Sequence, residues 1–278
     1  MEQAYDIKLV GLDIDGTLLN SAGRLTPRTK AAIVAALQKG CRVIPATGRP
    51  FSGLPAAFTG IPGVDWAVTA NGATVFSLPE GRVWHKRWLP AAAWFEVWQA
   101  TDRFDRVMDL FVDGSGYNSA AVLAAAEDWA PPGMAEYMRF SRRPVQDVYA
   151  LAETLPEIEK TNLFFKDPAQ RAEAWAMLEA DGRFEVCTSS QNGIELSAKG
   201  ATKAAGLLGL AEHLGLDAGQ VMACGDSGND IPMLRAAGVG VAMGNASQQV
   251  KAHAAYVTDT NDRDGVAKAL ERFVLGLA

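Results

Sequence analysis

The strongest constraint on this chain is the way short apolar runs alternate with segments of helical period. IKLVGLDI (7–14) reads as a strand, Pro27 to Lys39 as a helix with Thr26 as its N-cap, and RVIPAT (42–47) as a second strand. WAVTA (66–70) is a third strand, and GATVF with RVWHK reads as a hairpin. From about residue 85 to 187 the texture shifts to aromatic-rich segments, with a helix at Ala91 to Asp102 and strands near RVMDLFV and KTNLFF. The first texture then resumes: a helix from Thr202 to Leu214, strand VMACG, helix DIPMLRAAG, strand GVGVAM, a short helix after Asn245, strand AAYVT and a terminal helix after Asp264. Alternating strands and helices imply an α/β fold with a parallel sheet covered on both faces. The expected organisation is a core at 1–84 and 188–278 with an inserted α+β unit at 85–187.

Composition narrows the function classes. With 278 residues, 49% apolar and 21% charged, the chain can build a sizeable core, as one large domain or two smaller ones. A net charge of −6 gives no basic footprint for nucleic acid. No export signal precedes Asp13, and no uncharged apolar run approaches the ~18 residues of a membrane span. Cys41, Cys187 and Cys224 are too far apart for a disulfide framework or a CxxC metal site, and they suit a reducing cytoplasm.

Functional groups in open parallel sheets gather at the carboxyl ends of the strands, which makes VGLDIDGTLLN (10–20) informative. Asp13 and Asp15 are two apart, so on a persisting strand they share a face and repel each other unless a cation lies between them. A simple DxDGT turn is the alternative. Three further stretches sit at strand ends or helix starts: PATGRP (45–50), GATKAAGLL (200–208) and ACGDSGND (223–230). Asp226 follows VMACG as Asp13 follows IKLVGL, so adjacent strands bring the carboxylates together. An acid-rich, His-poor set of this kind favours Mg²⁺ over zinc; His85, His213 and His253 read as surface or packing residues. Thr47 is either a phosphate-binding hydroxyl or a helix N-cap before Pro50. Lys203, in the first turn of a helix, is either an anion ligand or a solvated lysine, with Lys199 as the competing candidate.

DIDGT, the threonine of TGR, the helix-start lysine and GDSGND occur in the order of the four motifs of the haloacid dehalogenase-like (HAD) hydrolases. ANG (70–72), IEL (194–196) and VAMGNA (241–246) resemble the Cof-type, subclass IIB phosphatases of that superfamily. The resemblance implies a Rossmannoid core with a C2-type cap inserted between Asn71 and Lys203, which would carry substrate specificity. It implies Asp13 as a nucleophile forming an aspartyl-phosphate and Asp15 as the acid and base. Thr47, Gly48 and Lys203 would bind phosphoryl oxygens, and Asp13, the carbonyl of Asp15 and Asp226 would hold Mg²⁺. Asn229 and Asp230 would support the lysine and the metal's water shell, with Arg49, Asn71 and Gly72 as candidate substrate contacts. The carboxylate at Asp15 favours phosphoryl transfer over dehalogenation, because halide departure needs no proton. Where the family often has Ser-Lys-Gly, this chain has Thr202-Lys203-Ala204.

The expected partner is a small phosphorylated metabolite, a sugar phosphate or a phosphorylated cofactor or precursor; the sequence leaves the oligomeric state open. A phosphomannomutase-like intramolecular phosphotransferase and a non-catalytic phosphometabolite sensor are the competing readings. In the insertion, Trp94 and Trp98 at i, i+4 read as core packing. Arg139, Arg142 and Arg143 read as a solvated basic cluster, with a second anion site as the alternative, and Pro131-Pro132-Gly133 as a loop. GVGVAMG (238–244) has the wrong spacing for a dinucleotide fingerprint.

Overall fold

Leu9 to Leu12 are buried on both faces, as a strand inside a doubly covered sheet must be. The computed structural model describes residues 5–78, 80–130 and 133–277. Its strands begin with β1 (Leu9–Leu12), β2 (Arg42–Pro45), β3 (Trp66–Thr69), β4 (Thr74–Ser77) and β5 (Arg82–Lys86). Next come β6 (Leu89–Pro90), β7 (Arg106–Val112), β8 (Ser115–Ser119), β9 (Arg142–Val145), β10 (Glu157–Ile158), β11 (Lys160–Phe165), β12 (Phe184–Cys187) and β13 (Gly193–Ala198). The last three are β14 (Val221–Gly225), β15 (Val239–Ala242) and β16 (Tyr256–Val257).

The chain divides into two compact units. The first holds residues up to Thr47, Leu54–His85 and everything from Thr202 on. Its parallel sheet has the order β16-β15-β14-β1-β2, with β1 flanked by β14 and β2 in register Leu12↔Cys224 and Leu12↔Pro45. Side-chain alternation along β1 feeds two cores: Val10 and Leu12 pack with Ile33, Val43 and Leu270, and Leu9 packs with Leu207 and Leu210 on the other face. Helices cover both faces, and their starts are specified locally. Thr26 caps Pro27–Gln38 by accepting from the Thr29 N–H at 3.2 Å, with Pro27 in the first turn. Thr202 caps Lys203–His213 by accepting from the Ala205 N–H at 3.1 Å.

The second unit holds Gly48–Gly53 and Lys86–Ala201. Its six-stranded sheet, β12-β13-β11-β7-β8-β9, is antiparallel except for the parallel β8–β9 pair. Along β11 the pleat sends Leu163 and Phe165 into an apolar core with Trp94, Val97 and Leu178. Thr161, on the same face, accepts from the Trp94 indole N–H at 3.1 Å. Trp94 is fully buried and Trp98 half-buried, as core packing requires.

Three expectations change here. The insertion runs to Ala201, not 187, because β13 pairs along both edges, with β11 and with β12. Gly48–Gly53 also belongs to the second unit: Lys160 Nζ donates to the Gly48 carbonyl and the Ser52 N–H to the Gly114 carbonyl, both at 2.8 Å. Of the arginine cluster, Arg142 is not solvated either. Arg142 is buried with its guanidinium on Asp109, at 3.0 Å from Nε and 2.9 Å from Nη2, while Arg139 pairs with Glu127. Only Arg143 of the three lacks such an acidic partner in the pairs observed and is exposed. Pro131 and Pro132 lie outside the described residues. No helix among the described residues is long and apolar enough to cross a membrane.

Candidate active site

Strand order reverses about β1: the chain passes outward to β2 on one side and to β14, β15 and β16 on the other. Side chains following β1 and β14 therefore meet at a topological switch point, where α/β sheets bind ligands. The Asp13 N–H donates to the Cys224 carbonyl at 3.0 Å, extending the ladder one residue past the strands and bringing Asp13 beside the turn that carries Asp226. Carboxylate oxygens of Asp13, Asp226 and Asp230 all lie within 4.8 Å of one another.

Lys203 holds this group together. Its ammonium is 2.6 Å from Asp13 Oδ1 and 2.7 Å from Asp230 Oδ1, with the lysine side chain 1% exposed. The N-cap at Thr202 fixes Lys203 as the first helical residue and so aims it inward. Asp230 Oδ2 accepts from the N–H groups of Asp226 and Ser227, each at 2.9 Å, which locks the GDSGND turn. Thr17 Oγ1 donates to Asp226 Oδ1 at 3.0 Å. Gly16 has φ +78°, and a Cβ there would lie 2.5 Å from Asp226 Oδ2, so the DIDGT turn tolerates only glycine at that point.

One buried cation faces three carboxylates, and the shifts of Lys203, Asp13 and Asp226 follow from that imbalance. Burial opposes the Lys203 charge, but Asp13 and Asp230 outweigh it and hold the ammonium above its ordinary range. Burial raises Asp13 well above the usual carboxylate range, Lys203 opposes this, and Asp230, Asp226 and Asp15 add to it. Asp226 is pushed up to about 6, first by burial and then by the Asp230 charge, against the Thr17 hydroxyl and Lys203. An all-oxygen set whose negative charge is under-compensated fits a hard dication such as Mg²⁺.

Most residues anticipated from the sequence fall in the first unit. Thr47 is buried; its N–H donates to the Val68 carbonyl at 2.9 Å, and its carbonyl accepts from the Asn71 N–H at 3.0 Å. Asn71 Oδ1 accepts from Asn229 Nδ2 at 3.2 Å. Gly72, at φ +89°, packs so closely on the start of the lysine helix that a Cβ would come within 2.0 Å of the Thr202 carbonyl oxygen. Its role in the described structure is to seat that helix. Asp15 is exposed and outside the three-carboxylate group. In the second unit, the Gly48 carbonyl is taken by Lys160, and Arg49 stacks 4.2 Å over the Tyr137 ring while donating to the Gly53 carbonyl at 2.8 Å. Lys199 is exposed and lies 3.8 Å from Glu185, so Lys203 is the lysine that meets Asp13.

One residue was under-read from sequence and one was missed. Asp230 is a full member of the carboxylate group as well as a support for the lysine, a placement its spacing of four from Asp226 across one tight turn allows. Thr17, the last residue of DIDGT, holds Asp226; a hydroxyl directly after the turn glycine was the available signal.

The chain matches the model of the haloacid dehalogenase-like hydrolase family over residues 10–270. It is 32% identical over 275 residues to the 5-amino-6-(5-phospho-D-ribitylamino)uracil phosphatase YcsE of Bacillus subtilis (strain 168), covering 97% of each chain. It is 30% identical over 294 residues to phosphatase YwpJ of the same organism, covering 96% of this chain and 100% of the relative. Among solved structures, a haloacid dehalogenase-like hydrolase from B. subtilis aligns with a TM-score of 0.84 at 28% identity, over 95% of this chain and 99% of the other. The HAD subclass IIB sugar phosphatase BT4131 aligns with a TM-score of 0.79 at 27% identity, over 98% and 100%. The match runs through the strand ends that carry Asp13 and Asp226 and the helix start that carries Lys203, and the chain belongs to the haloacid dehalogenase-like hydrolases.

Proposed function

We propose that this chain, a HAD-type phosphoric monoester hydrolase, is a Mg²⁺-dependent phosphatase that acts on small phosphomonoesters through a phosphorylated Asp13. The observation that carries the reading is the buried Asp13 carboxylate, held 2.6 Å from Lys203 and grouped with Asp226 and Asp230. Asp13 attacks phosphorus and the bond to the ester oxygen breaks. Asp15, exposed and outside the carboxylate group, gives its proton to the departing oxygen. Asp15 then takes a proton from water as that water attacks the phosphorus, which restores the Asp13 carboxylate and releases phosphate. Lys203, the Thr47 hydroxyl and the Gly48 N–H neutralise the phosphoryl oxygens. Asp230 keeps the ammonium in place, and Asn229 supports the same end of the site through Asn71.

Asp13, the Asp15 carbonyl and Asp226 would hold the Mg²⁺. Bound there, the ion supplies charge neutralisation for the phosphoryl group and keeps Asp13 ionised. Small phosphorylated metabolites are the substrate class, and the relative named for it makes 5-amino-6-(5-phospho-D-ribitylamino)uracil a specific candidate beside sugar phosphates. The three cysteines, none of them disulfide-bonded, support action in a reducing cytoplasm.

Phosphate release from a panel of sugar phosphates, 5-amino-6-(5-phospho-D-ribitylamino)uracil and p-nitrophenyl phosphate tests the reading, with Mg²⁺ or EDTA and with Asp13→Asn. Release that needs Mg²⁺ and Asp13 is expected. Isomerisation of a sugar phosphate without net phosphate release would assign the chain to the mutase class. Binding without turnover would make it a sensor.

A further inference from the structure

The stretch VAMGNA has no part in the chemistry above, yet its asparagine touches the turn that carries Asp15. Asn245 Nδ2 donates to the Gly16 carbonyl at 2.8 Å, and its Oδ1 accepts from the Asn261 N–H at 3.0 Å. Asn261 Nδ2 in turn donates to the Leu19 carbonyl at 3.0 Å from a buried position. Gly16 and Leu19 bracket the segment that follows Asp15, and Asp15 is bridged to Leu19 across it. Inside the segment, the Leu18 N–H reaches the Asp13 carbonyl at 3.1 Å and the Leu19 N–H the Ile14 carbonyl at 3.0 Å. Two carboxamides, joined through the Asn261 backbone N–H, thus hold both ends of the turn.

The clamp is itself anchored. The Met243 N–H donates to the Gly225 carbonyl and the Gly244 N–H to the Asp259 carbonyl, both at 3.0 Å, and Lys251 Nζ donates to the Gly244 carbonyl at 2.7 Å. Gly244 lies so close to the 258–260 backbone that a Cβ would be 2.8 Å from the Thr260 nitrogen. Asn245 needs a donor toward Gly16 and an acceptor toward Asn261 at once. Aspartate keeps the shape and the acceptor but turns a carboxylate toward a carbonyl.

We propose that Asn245 and Asn261 are positioning residues that fix the direction of the Asp15 carboxyl through the Gly16–Leu19 turn. The inference rests on Asp15 being the acid of the proposed reaction. It separates two kinds of ester: an alkyl leaving group needs a proton from Asp15, whereas p-nitrophenolate departs without one.

The test compares kcat/KM on p-nitrophenyl phosphate and on ribose 5-phosphate for the native chain, Asp15→Asn, Asn245→Asp and Asn261→Asp, with melting temperatures alongside. For both asparagine variants kcat/KM should fall by about tenfold or more on the alkyl ester and by less than about threefold on the aryl ester. Asn245→Gln, which keeps both the donor and the acceptor on an exposed side chain, should recover part of the loss. Equal losses on the two esters, or no loss on either, would overturn the clamp while Asp15→Asn still discriminates between them. No discrimination by Asp15→Asn would remove the acid assignment and the clamp together.

Discussion

Lys203 Nζ stands 2.6 Å from Asp13 Oδ1 at a site where both side chains are buried. The same ammonium also serves Asp230, so removing it leaves two carboxylates without their nearest cation. Lys203→Met should lower stability by about 3–5 kcal/mol, the cost of breaking a buried pair from one side. Added Mg²⁺ should recover part of that loss, and phosphate release should fall by at least about a hundredfold. Chemical denaturation with and without the ion, beside steady-state kinetics, checks both parts; an unchanged unfolding free energy would contradict the pairing.

Asp226 carries a pH prediction. Burial and the Asp230 charge raise its folded-state value to about 6. A carboxyl raised above its unfolded value binds its proton more tightly when folded. Its contribution is therefore fully present below the unfolded value of about 4 and is lost as pH rises through about 6. Asp13, raised in the same direction, adds to the effect. Mg²⁺ favours the ionised forms, so the rise in melting temperature on adding it should be larger at about pH 7.5 than at about pH 5. Thermal melts at the two pH values decide, and an equal or reversed gain would count against a metal at these carboxylates.

Gly72 combines a left-handed backbone with contact against the lysine helix. Gly72→Ala should cost more than about 2 kcal/mol, because strain and the clash with the Thr202 carbonyl add. Kinetics on the folded fraction should show lower kcat as Lys203 shifts with its helix. A neutral alanine variant would mean that this approach is looser than described.

Arg142 makes the corresponding case in the second unit. It is 7% exposed against an Asp109 that is fully buried, and Asp109 Oδ1 also accepts from the Asn162 N–H and Nδ2. Arg142→Met should destabilise the protein by about 3 kcal/mol, whereas Arg143→Met on the exposed neighbour should stay within about 0.5 kcal/mol. Equal effects of the two substitutions in urea unfolding would restore the reading of a solvated cluster.

The sequence made the parallel-sheet core legible because its strands are local apolar runs with capped helices between them. Thr26 caps its helix as expected, Thr202 caps the helix expected to start there, and Asp13 and Asp226 meet because consecutive positions beyond paired strands leave little freedom. What escaped depends on long-range pairing. Residues 188–201 resemble a return to the core until β13 finds β11 and β12, and three neighbouring arginines look alike until Asp109, far away in sequence, claims one of them. The attachment of Gly48–Gly53 to the second unit likewise rests on Lys160 and Gly114, which no local pattern announces.

The central claim is that Asp13 is phosphorylated during turnover. Acid quenching of the enzyme with substrate and Mg²⁺, followed by borohydride reduction and peptide mass spectrometry, reads this directly, since reduction of an aspartyl-phosphate leaves homoserine. The account predicts homoserine at position 13 in the native chain, none without substrate and none in Asp13→Asn. Phosphate release at the native rate with Asp13 unmodified, or undiminished release by Asp13→Asn, would contradict it.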